Sequence, residues 1–266
     1  MKDKTLNYNF YTNCDKVRIT DCRGKKMGIT TVILTYKEED NIKLLLPEVI
    51  KNLKMTNTDF EILVVDSQKS KDNTKSICEQ YDSVKYYVQE GLYFIDALKT
   101  AIKYAQKDIF LYIDADLSHP PEYIPEIYKA FTSSNADLVI GSRYVKGGKT
   151  DDSFKNIVYS KILNLIYKIL SGVHNVEDIS GGYKMYRTDI LKKINFISKY
   201  FEMQIEILVK AKLENPNLKI VEVPIHFKKR ENGSSKRNYS KFLPHFILTF
   251  IRLFLYKFFY NIVQRR

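Results

Sequence analysis

Apolar runs of strand length alternate with segments of helical spacing from residue 29 onward, and this alternation most constrains the fold. Between the runs, apolar residues recur at three- and four-residue steps, as they do from Ile42 to Leu53 and from Leu98 to Ala105. The pattern predicts an α/β fold, with a mostly parallel sheet flanked by helices. The strand-like runs are Ile29–Tyr36, Phe60–Asp66, Val84–Gln89, Ile109–Asp114 and Leu138–Gly141.

The second half of the chain has a less regular pattern. It predicts helices at Ile157–Leu170 and near Glu202–Leu213, a Gly-rich turn at Ser180–Gly182 and a strand at Lys219–Phe227. The 266 residues are enough for one domain with an appendage. The predicted organisation is an irregular N-terminal extension at 1–27, one domain at 28–240 and an amphipathic helix at 241–266.

Polar side chains follow three of the predicted strands at their carboxyl ends, where open sheets of this kind bind ligands. Turn and helix-capping chemistry explains some of the same residues, so any one of them alone is weak evidence. Their convergence on one sheet edge favours a ligand site. These residues are Thr35, Tyr36 and Glu38 after the first strand, Asp66 after the second, and Asp114 and Asp116 after the fourth.

The pair Asp114 and Asp116 comes directly after a buried apolar run and precedes Pro120-Pro121. If the extended conformation persists, alternation along the strand puts both carboxylates on one side. Mg²⁺ and Mn²⁺ prefer such oxygen ligands and complete their shell with water and phosphate. The pair therefore predicts a divalent metal site, with ordinary turn chemistry as the alternative.

The chain is strongly basic, with a formal charge of +12 and a pI near 9.3, which predicts anionic partners. Five cations and one acid lie in the segment 228–237, which is either a solvated charge run or a lid that brings Arg and Lys to an anionic leaving group. Three unevenly spaced cysteines favour a reducing cytoplasm over a disulfide framework. The first residues have no signal-peptide pattern, so we expect a cytoplasmic protein.

The segment Phe242–Val263 is rich in Phe, Leu, Ile and Tyr, but Arg252 and Lys257 within it would each cost about 2.5–3.5 kcal/mol at the centre of a bilayer. Its polar residues form a narrow stripe on a helix: His245, Thr249, Arg252, Tyr256, Lys257, Tyr260, Asn261 and Gln264. The pattern predicts a helix lying in the membrane interface. A helix docked on the chain's own core or on a partner protein is the alternative.

A set of motifs in fixed order makes the stretch from about Ile29 to Lys236 similar to the family-2 glycosyltransferases, within them to the dolichol-phosphate mannose synthase group. The motifs are Thr35-Tyr36-Lys37-Glu38 with Asn41-Ile42, Val64-Val65-Asp66, Asp114 through Glu122, Asp137 through Tyr144 with Gly147-Gly148, Asp178 with Ser180 through Lys184 and Tyr186, Glu222 through Ile225, and Arg230 with Gly233 and Ser235-Lys236.

The resemblance implies a GT-A (Rossmann-like) fold and an inverting, metal-dependent transfer of a single sugar from a nucleotide diphosphate to a polyprenyl phosphate, with mannose from GDP-mannose favoured. It also implies a role for each matching residue. Thr35, Tyr36, Glu38 and Asp66 would bind the nucleoside, Asp114 and Asp116 the Mg²⁺ or Mn²⁺, Arg143 and Ser160 the acceptor phosphate, and Arg230 and Lys236 the donor phosphates. Asp116, Asp178 and Arg143 are the expected catalytic residues, with Asp178 orienting the acceptor or the sugar.

The sequence departs from the family pattern at two informative positions. Ser118 stands where relatives with Gln would offer the metal an amide oxygen, and Asn156 stands where the family tends to present Arg, beside Lys155. A UDP-sugar donor, or a glycan or protein acceptor, therefore remains the alternative. A non-catalytic basic protein that binds membrane or nucleic acid is the second alternative.

The expected partners under the leading hypothesis are a nucleotide diphosphate sugar, a polyprenyl phosphate and an anionic membrane surface, with a membrane subunit left open and nucleic acid excluded. The expected location is peripheral, on the cytosolic face of a membrane.

Overall fold

Helices cover both faces of a seven-stranded sheet in the computed structural model, which describes residues 26–230 and 239–264. Within these ranges the strands are β1 Ile29–Thr35, β2 Phe60–Asp66, β3 Val84–Val88, β4 Ile109–Asp114, β5 Leu138–Ser142, β6 Lys149–Thr150, β7 Lys184–Arg187, β8 Ile220–Pro224 and β9 His226–Phe227. The helices are α1 Glu39–Met55, α2 Thr74–Cys78, α3 Phe94–Tyr104, α4 Ile124–Ser134, α5 Phe154–Ser171, α6 Thr188–Lys192, α7 Met203–Glu214 and α8 Tyr239–Gln264, with a 3₁₀ turn at Pro121–Tyr123.

The strand order is β3-β2-β1-β4-β7-β5-β8, and β6 pairs with β9 in a separate two-stranded ladder. Strand β7 runs antiparallel to both of its neighbours, while the other pairs in the large sheet are parallel. The predicted α/β class and the mostly parallel sheet are therefore confirmed.

The central strand β1 is buried along its whole length because side chains on both of its faces pack under helices. Val32 and Leu34 lie in one core, with residues of α3, α5 and α7, and Ile29 and Ile33 lie in the other, with residues of α1 and α4. This double cover explains the near-continuous apolar run in the sequence.

The predicted strand Lys219–Phe227 is wrong as a single element. Strand β8 ends at Pro224, which has no N–H to continue a ladder, and Ile225 N donates to Ser142 O at 3.0 Å. The chain then changes partner, and β9 pairs with β6 instead of continuing along β5. The change of partner directs the following basic residues toward the carboxyl end of β4.

Strand β7 was not predicted, because its four residues follow a Gly-rich turn and show no alternation long enough to indicate a strand. The first 25 residues of the predicted extension and residues 231–238 of the basic segment lie outside the described residues. The division into segments 28–240 and 241–266 stays a prediction.

The C-terminal segment forms α8, as predicted, and α8 contacts its own chain through part of its polar stripe. Thr249 and Leu253 are buried, Lys257 Nζ donates to Leu170 O at 2.9 Å, and the Tyr256 ring lies 5.0 Å from Lys210 Nζ. Across residues 26–230 and 239–264, no helix combines the length and apolar character needed to cross a bilayer.

Candidate active site

The sheet register brings two of the predicted carboxylates to the same edge. Thr35 at the end of β1 pairs with Asp66 on β2, and Leu34 pairs with Asp114 on β4. Since β1, β2 and β4 are parallel, Asp66 and Asp114 flank the carboxyl end of β1, where open α/β sheets bind ligands.

Asp114 is held in place by two aromatic side chains from its own neighbourhood. Tyr112 Oη donates to Asp114 Oδ1 at 2.8 Å, and the Asp114 backbone N–H donates to His119 Nδ1 at 3.2 Å. The second contact requires His119 Nδ1 to act as an acceptor, so that any ring proton of the neutral imidazole is on Nε2. His119 is buried and stacks on Tyr183 with ring centroids 5.1 Å apart. Asp114 is therefore oriented before any ligand arrives.

The extended conformation that was predicted to align Asp116 with Asp114 does not persist. Strand β4 ends at Asp114, and Leu117 adopts a left-handed conformation with φ of 63°. The turn instead directs Ser118 back onto Asp116, whose Oδ1 accepts hydrogen bonds from Ser118 N at 3.1 Å and from Ser118 Oγ. Short-range capping of this kind is typical of Asp in turns. Asp116 is thus fixed by a turn, not by strand alternation.

The second oxygen of Asp116 accepts from the basic segment, because Arg230 Nε lies 2.8 Å from Asp116 Oδ2. The backbone that leads to Arg230 is anchored beside the same turn, where Lys228 N donates to Ser118 O at 3.0 Å and Lys229 N to Asp151 Oδ2 at 3.2 Å. The segment predicted as a lid therefore meets the acidic pair through Arg230. Lys236, the other predicted phosphate ligand, lies outside the described residues.

The residues around Asp114 and Asp116 fit a divalent cation that is completed by phosphate. A Cβ added at Gly182 would lie 3.5 Å from Asp114 Oδ2 and 3.0 Å from His119 Cε1, so the glycine keeps space open beside the carboxylate. No group of three or more His, Cys, Asp or Glu residues that could hold a metal occurs in the described ranges. Two hard carboxylates without a full protein cage are the donor set that Mg²⁺ or Mn²⁺ shares with a substrate phosphate.

Asp66 forms a second buried carboxylate at this edge. Its Oδ1 accepts from Ser67 N at 2.9 Å, and its Oδ2 accepts from Tyr86 Oη at 3.1 Å. Burial raises the pKa of Asp66, and hydrogen bonds from Thr35, Ser70 and Tyr86 offset only part of this shift. A buried acceptor whose charge is costly is suited to bind the N–H or O–H donors of a ligand.

The other predicted nucleoside residues line the loop from β1 to α1. Thr35 is buried, Tyr36 is 39% exposed, and Glu38 Oε2 accepts from Asn41 Nδ2 at 2.6 Å. The buried Asn41 Oδ1 has no hydrogen-bond partner within the described chain. The loop therefore presents polar atoms at the end of β1 beside Asp66.

Arg143, Ser160 and Asp178 come together on the other side of β4, although they are far apart in the sequence. Arg143 binds the Asp178 carboxylate through two nitrogens, with Nε at 2.8 Å from Oδ2 and Nη2 at 2.7 Å from Oδ1. The same Nη2 donates to Ser160 Oγ at 2.9 Å and to Ser180 Oγ at 3.2 Å, and Nη1 lies 3.5 Å from Asp152 Oδ2. Sequence reasoning grouped the first three residues but missed Ser180 and Asp152.

The buried pair of Arg143 and Asp178 holds both groups in their charged forms. Burial by itself raises the pKa of Asp178, but the hydrogen bonds and charge of Arg143 outweigh it, so the pKa lies below its ordinary value. Burial likewise opposes the charge of Arg143, and Asp178 more than compensates, so the pKa of Arg143 is raised. Asp178 has no exposed surface. Both oxygens of its carboxylate accept from Arg143.

One segment joins the two halves of this site. We call residues 177–182 the bridging loop; it begins after α5 and leads into β7. Asp178 and Ser180 contact Arg143, while Gly182 lies against His119 and Asp114. The ring of Phe227 also spans the gap, 5.4 Å from the Arg143 guanidinium carbon and 5.3 Å from the His119 ring. The Ser180-Gly181-Gly182 run was the sequence signal for this connection.

The glycosyl transferase family 2 model matches residues 30–195. Solved structures with the same fold include glucosyl-3-phosphoglycerate synthase from Mycobacterium tuberculosis in complex with Mn²⁺, UDP and phosphoglyceric acid. That structure has a TM-score of 0.63 at 16% identity, over 87% of this chain and 78% of that chain. The likeness confirms the GT-A type of fold.

Three characterised relatives share about a third of the aligned residues. The dolichol-phosphate mannosyltransferase of Pyrococcus furiosus is 34% identical over 219 residues, covering 79% of this chain and 59% of that protein. The polyprenol monophosphomannose synthase of Mycolicibacterium smegmatis is 32% identical over 77% of this chain and 79% of its own length. The undecaprenyl-phosphate mannosyltransferase of Micrococcus luteus is 33% identical over 79% of this chain and 87% of its own length.

The chain thus spans about three fifths of the length of the Pyrococcus furiosus relative and most of the length of the other two. The family match covers β1 through α6, which contain the acidic pair, Arg143 and the bridging loop. The resemblance first drawn from the sequence motifs is confirmed, and the chain belongs to glycosyl transferase family 2, a family of glycosyltransferases.

Proposed function

We propose that this protein transfers a single mannose from GDP-mannose to a polyprenyl phosphate, with inversion at the sugar carbon and with Mg²⁺ or Mn²⁺ bound at Asp114 and Asp116. The observation that carries the proposal is the connection of the acidic pair to the Arg143 cluster through the bridging loop. It occurs in a chain 32–34% identical to three enzymes named for mannosyl transfer to polyprenyl phosphates.

The reaction is a single displacement. An oxygen of the acceptor phosphate forms a bond to the sugar carbon while the bond from that carbon to the nucleoside diphosphate oxygen breaks. The acceptor phosphate is already anionic near neutral pH, so the protein does not need a strong general base. A bound divalent cation would supply Lewis-acid neutralisation of the departing diphosphate.

The donor side of the site would consist of Asp66 with the loop from β1 to α1 and Arg230. Asp66 and its neighbours provide acceptors for the nucleoside at the end of β1. Arg230 Nε lies 2.8 Å from Asp116 Oδ2 and so contacts the acidic pair directly. We infer that Arg230 would move to the donor diphosphate when Asp116 holds a cation, since Arg230 now occupies an oxygen of this carboxylate and Arg pairs well with phosphate.

The acceptor side would consist of Arg143 and Ser160. The Nε and Nη2 nitrogens of Arg143 are used by Asp178, Ser160 and Ser180, which leaves the Nη1 edge beside Asp152 to bind a phosphate. Asp178 acts through Arg143 in this proposal and is a positioning residue. Asn156, which replaces the Arg usual in the family, is exposed on α5, so the acceptor phosphate would depend more heavily on Arg143 here.

The protein would work at an anionic membrane surface. Most of the large apolar side chains exposed in the described ranges lie on α5 and α8. These helices are neighbours, since Lys257 on α8 donates to Leu170 O on α5 and Tyr167 stacks on Phe246. Their outward apolar residues are Phe154, Val158, Tyr159, Ile162, Leu165 and Ile169 on α5, and Ile247, Leu248, Ile251, Phe254, Leu255, Phe258, Phe259 and Ile262 on α8.

This two-helix apolar face also gives the acceptor a route to the site. Ser160 lies on α5 and contacts Arg143, so a polyprenyl phosphate embedded in the membrane would keep its tail in lipid and bring its phosphate to α5. Burial of apolar side chains in the interface and attraction of about 1 kcal/mol per nearby Lys or Arg to anionic lipid would hold the protein there.

The experiment that tests the function offers the purified protein GDP-mannose, GDP-glucose, UDP-glucose and UDP-N-acetylglucosamine with Mn²⁺ and either a polyprenyl phosphate or water-soluble glycan acceptors. We expect a lipid-linked product from GDP-mannose, and its loss by at least a hundredfold in D116A. The matched control is D82A, which removes an exposed aspartate outside the site.

Other outcomes would support the alternatives or refute the proposal. A lipid-linked product from a UDP-sugar would change the donor, and a water-soluble product would change the acceptor. If the wild-type protein transfers no sugar from any of the donors to any acceptor, an enzymatic function would be contradicted. Binding that falls steeply with salt and involves nucleic acid alone would support a non-catalytic basic protein.

Membrane binding is tested by sedimentation with vesicles of anionic or zwitterionic lipid. We expect binding to anionic vesicles that is lost in I162E and in F258E and kept in L44E, which places the same charge on an exposed leucine of α1. Equal binding of all three variants would contradict a role for the two-helix face. If the wild-type protein binds vesicles only when they contain a membrane protein partner, the two-helix face would be assigned to that partner.

A further inference from the structure

The bridging loop, residues 177–182, contacts both halves of the site, and side chains of its 177–180 portion contact Arg143, so whatever fixes this portion also fixes the position of Arg143. Asp178 places Arg143 through a two-nitrogen contact, and its Oδ2 also accepts from the Arg143 backbone N–H at 2.9 Å. Gly182 lies against His119, whose Nδ1 accepts from the Asp114 backbone N–H. A shift of the loop would move Arg143 relative to Asp114.

Side chains from three separate elements hold the loop by its backbone. Glu222 on β8 accepts from Glu177 N at 2.7 Å and from Asp178 N at 2.9 Å. Asn164 on α5 accepts from Ser180 N at 2.7 Å. Lys184 at the start of β7 donates from Nζ to Ile179 O at 2.7 Å. Three backbone N–H groups of the loop therefore donate to side chains, and one of its carbonyl oxygens accepts from Lys184.

Lys184 is the unusual member of this set, because it is 1% exposed and no carboxylate lies within ion-pair distance of it in the described chain. Its ammonium has two neutral acceptors, Ile179 O and Gln204 Oε1 at 2.8 Å. Burying an ammonium without an opposite charge is costly. An apolar side chain in its place would leave the Ile179 carbonyl without this donor, so Lys184 is the side chain that ties the loop to the start of β7.

Burial lowers the pKa of Lys184 to about 7, with the charge of Asp178 opposing this shift and that of Arg143 adding to it. The hydrogen bond from Lys184 Nζ to Ile179 O, the residue after Asp178, puts Lys184 against the bridging loop. Either protonation state of its Nζ carries N–H groups that donate to Ile179 O.

We propose that Lys184 is a positioning residue for acceptor use: by holding the Ile179 carbonyl it fixes the bridging loop, which in turn keeps Asp178 on Arg143 and Arg143 aimed at the acceptor phosphate. The proposal rests on the function proposed above and adds to it a residue that touches neither substrate. Lys184 and Glu222 both occur in the sequence motifs of the family resemblance, where neither has a role assigned.

The test compares K184M with K192M. Lys192 serves as the control, because its Nζ also donates to a backbone carbonyl, that of Ala105 at 3.0 Å, but in the described part of the chain no hydrogen bond joins it to the bridging loop or to α8. For K184M we expect the acceptor KM to rise at least tenfold and kcat to fall, with the KM for GDP-mannose within twofold of wild type. For K192M we expect both KM values to stay within twofold of wild type.

A second variant covers the case in which K184M does not fold. Glu222 is only half-buried, and E222Q removes one of its two acceptors on the loop while keeping its shape. We expect the same pattern in E222Q as in K184M, a higher acceptor KM with the donor KM unchanged. Folded variants with wild-type acceptor KM, or with donor and acceptor KM raised equally, would overturn the proposal.

Hydrogen–deuterium exchange separates this inference from the proposed function, since it needs no substrate. Amides of residues 177–182 should exchange at least tenfold faster in K184M than in wild type, while those of β1 and β2 stay unchanged. Unchanged exchange in the loop would refute the role of Lys184 whatever the enzyme transfers. If the loop exchanges faster in K184M but the wild-type protein transfers no sugar, the proposed function alone would be refuted.

Discussion

The buried pair of Arg143 and Asp178 provides the sharpest prediction about stability. The Arg143 side chain is 10% exposed and that of Asp178 is fully buried, so neither charge can be solvated if its partner is removed. D178N keeps the size of the side chain but replaces one acceptor oxygen with an N–H donor that faces the Arg143 guanidinium. R143M removes the cation and leaves the Asp178 carboxylate buried.

Removing one partner of a buried ion pair costs about 3–5 kcal/mol. At about 2–4 °C per kcal/mol for a domain of this size class, each single variant should melt roughly 10 °C below wild type. The double variant R143M/D178L replaces both buried charges with apolar groups, and only the partly exposed Asp152 loses a charged partner. It should lose much less stability than the sum of the two single variants, by about 2–4 kcal/mol.

The assay is urea unfolding followed by circular dichroism, with the m-value checked for each variant. The pH dependence adds an internal control. The folded pKa of Asp178 lies below its unfolded value, so its contribution is present above the unfolded pKa and is lost as the pH falls through the folded one. The difference between wild type and D178N should therefore shrink as the pH falls below about 4. Losses under 1 kcal/mol in both single variants, or a double variant that loses the full sum, would refute this reasoning.

Three further predictions concern Arg230, Asp66 and Cys78. R230Q should bind Mn²⁺ more tightly than wild type without nucleotide, because Asp116 loses a competing cation, and should bind GDP more weakly; calorimetry that finds both affinities unchanged would contradict this. D66N should melt a few degrees higher at pH 7 but bind nucleotide more weakly. The folded pKa of Asp66 is raised, so its favourable contribution exists only at low pH and is lost as the pH rises through that pKa, and a lower melting point would count against the argument. Cys78 is buried with a thiol pKa raised to about 12, so in a C14S/C22S background it should react with a thiol reagent only on unfolding, and rapid labelling of the folded protein would disprove it.

The parallel half of the fold could be predicted closely from the sequence, because a strand covered on both faces is a continuous apolar run. The predicted bounds of β2 and β4, Phe60–Asp66 and Ile109–Asp114, match the structure. Strand β7 escaped prediction because it is four residues long and its antiparallel pairing is set by strands distant in the sequence. Local periodicity contains no information of that kind.

The sequence predicted which residues lie at the site better than it predicted how their side chains are oriented. The strand ends placed Asp66 and Asp114 together, since parallel register alone requires it. The orientation of Asp116 depends on a left-handed Leu117, which is not a residue that favours this conformation and so gives no sequence signal. The commitment of Asp178 to Arg143 likewise depends on burial, which the sequence around Asp178 does not reveal.

The sequence pattern of α8 is compatible both with a helix in the membrane interface and with a helix docked on protein. Two members of its polar stripe contact the chain itself, since Thr249 is buried and Lys257 donates to a carbonyl of α5. The helix therefore docks on its own chain through polar residues and Leu253, while its apolar remainder faces outward. Docking on the chain's own core, the alternative drawn from the sequence, describes the polar side of the helix, and the predicted place of the helix in a membrane interface stays a prediction.

The central claim is that Asp114 and Asp116 share a divalent cation with the diphosphate of the donor. Anomalous diffraction from a crystal grown with Mn²⁺ and GDP measures this directly. We predict one strong manganese peak within coordinating distance of a carboxylate oxygen of each aspartate and of the GDP phosphates, with Arg230 moved from Asp116 to the diphosphate. A manganese peak bound elsewhere, or GDP bound away from these aspartates with Arg230 still on Asp116, would contradict the account.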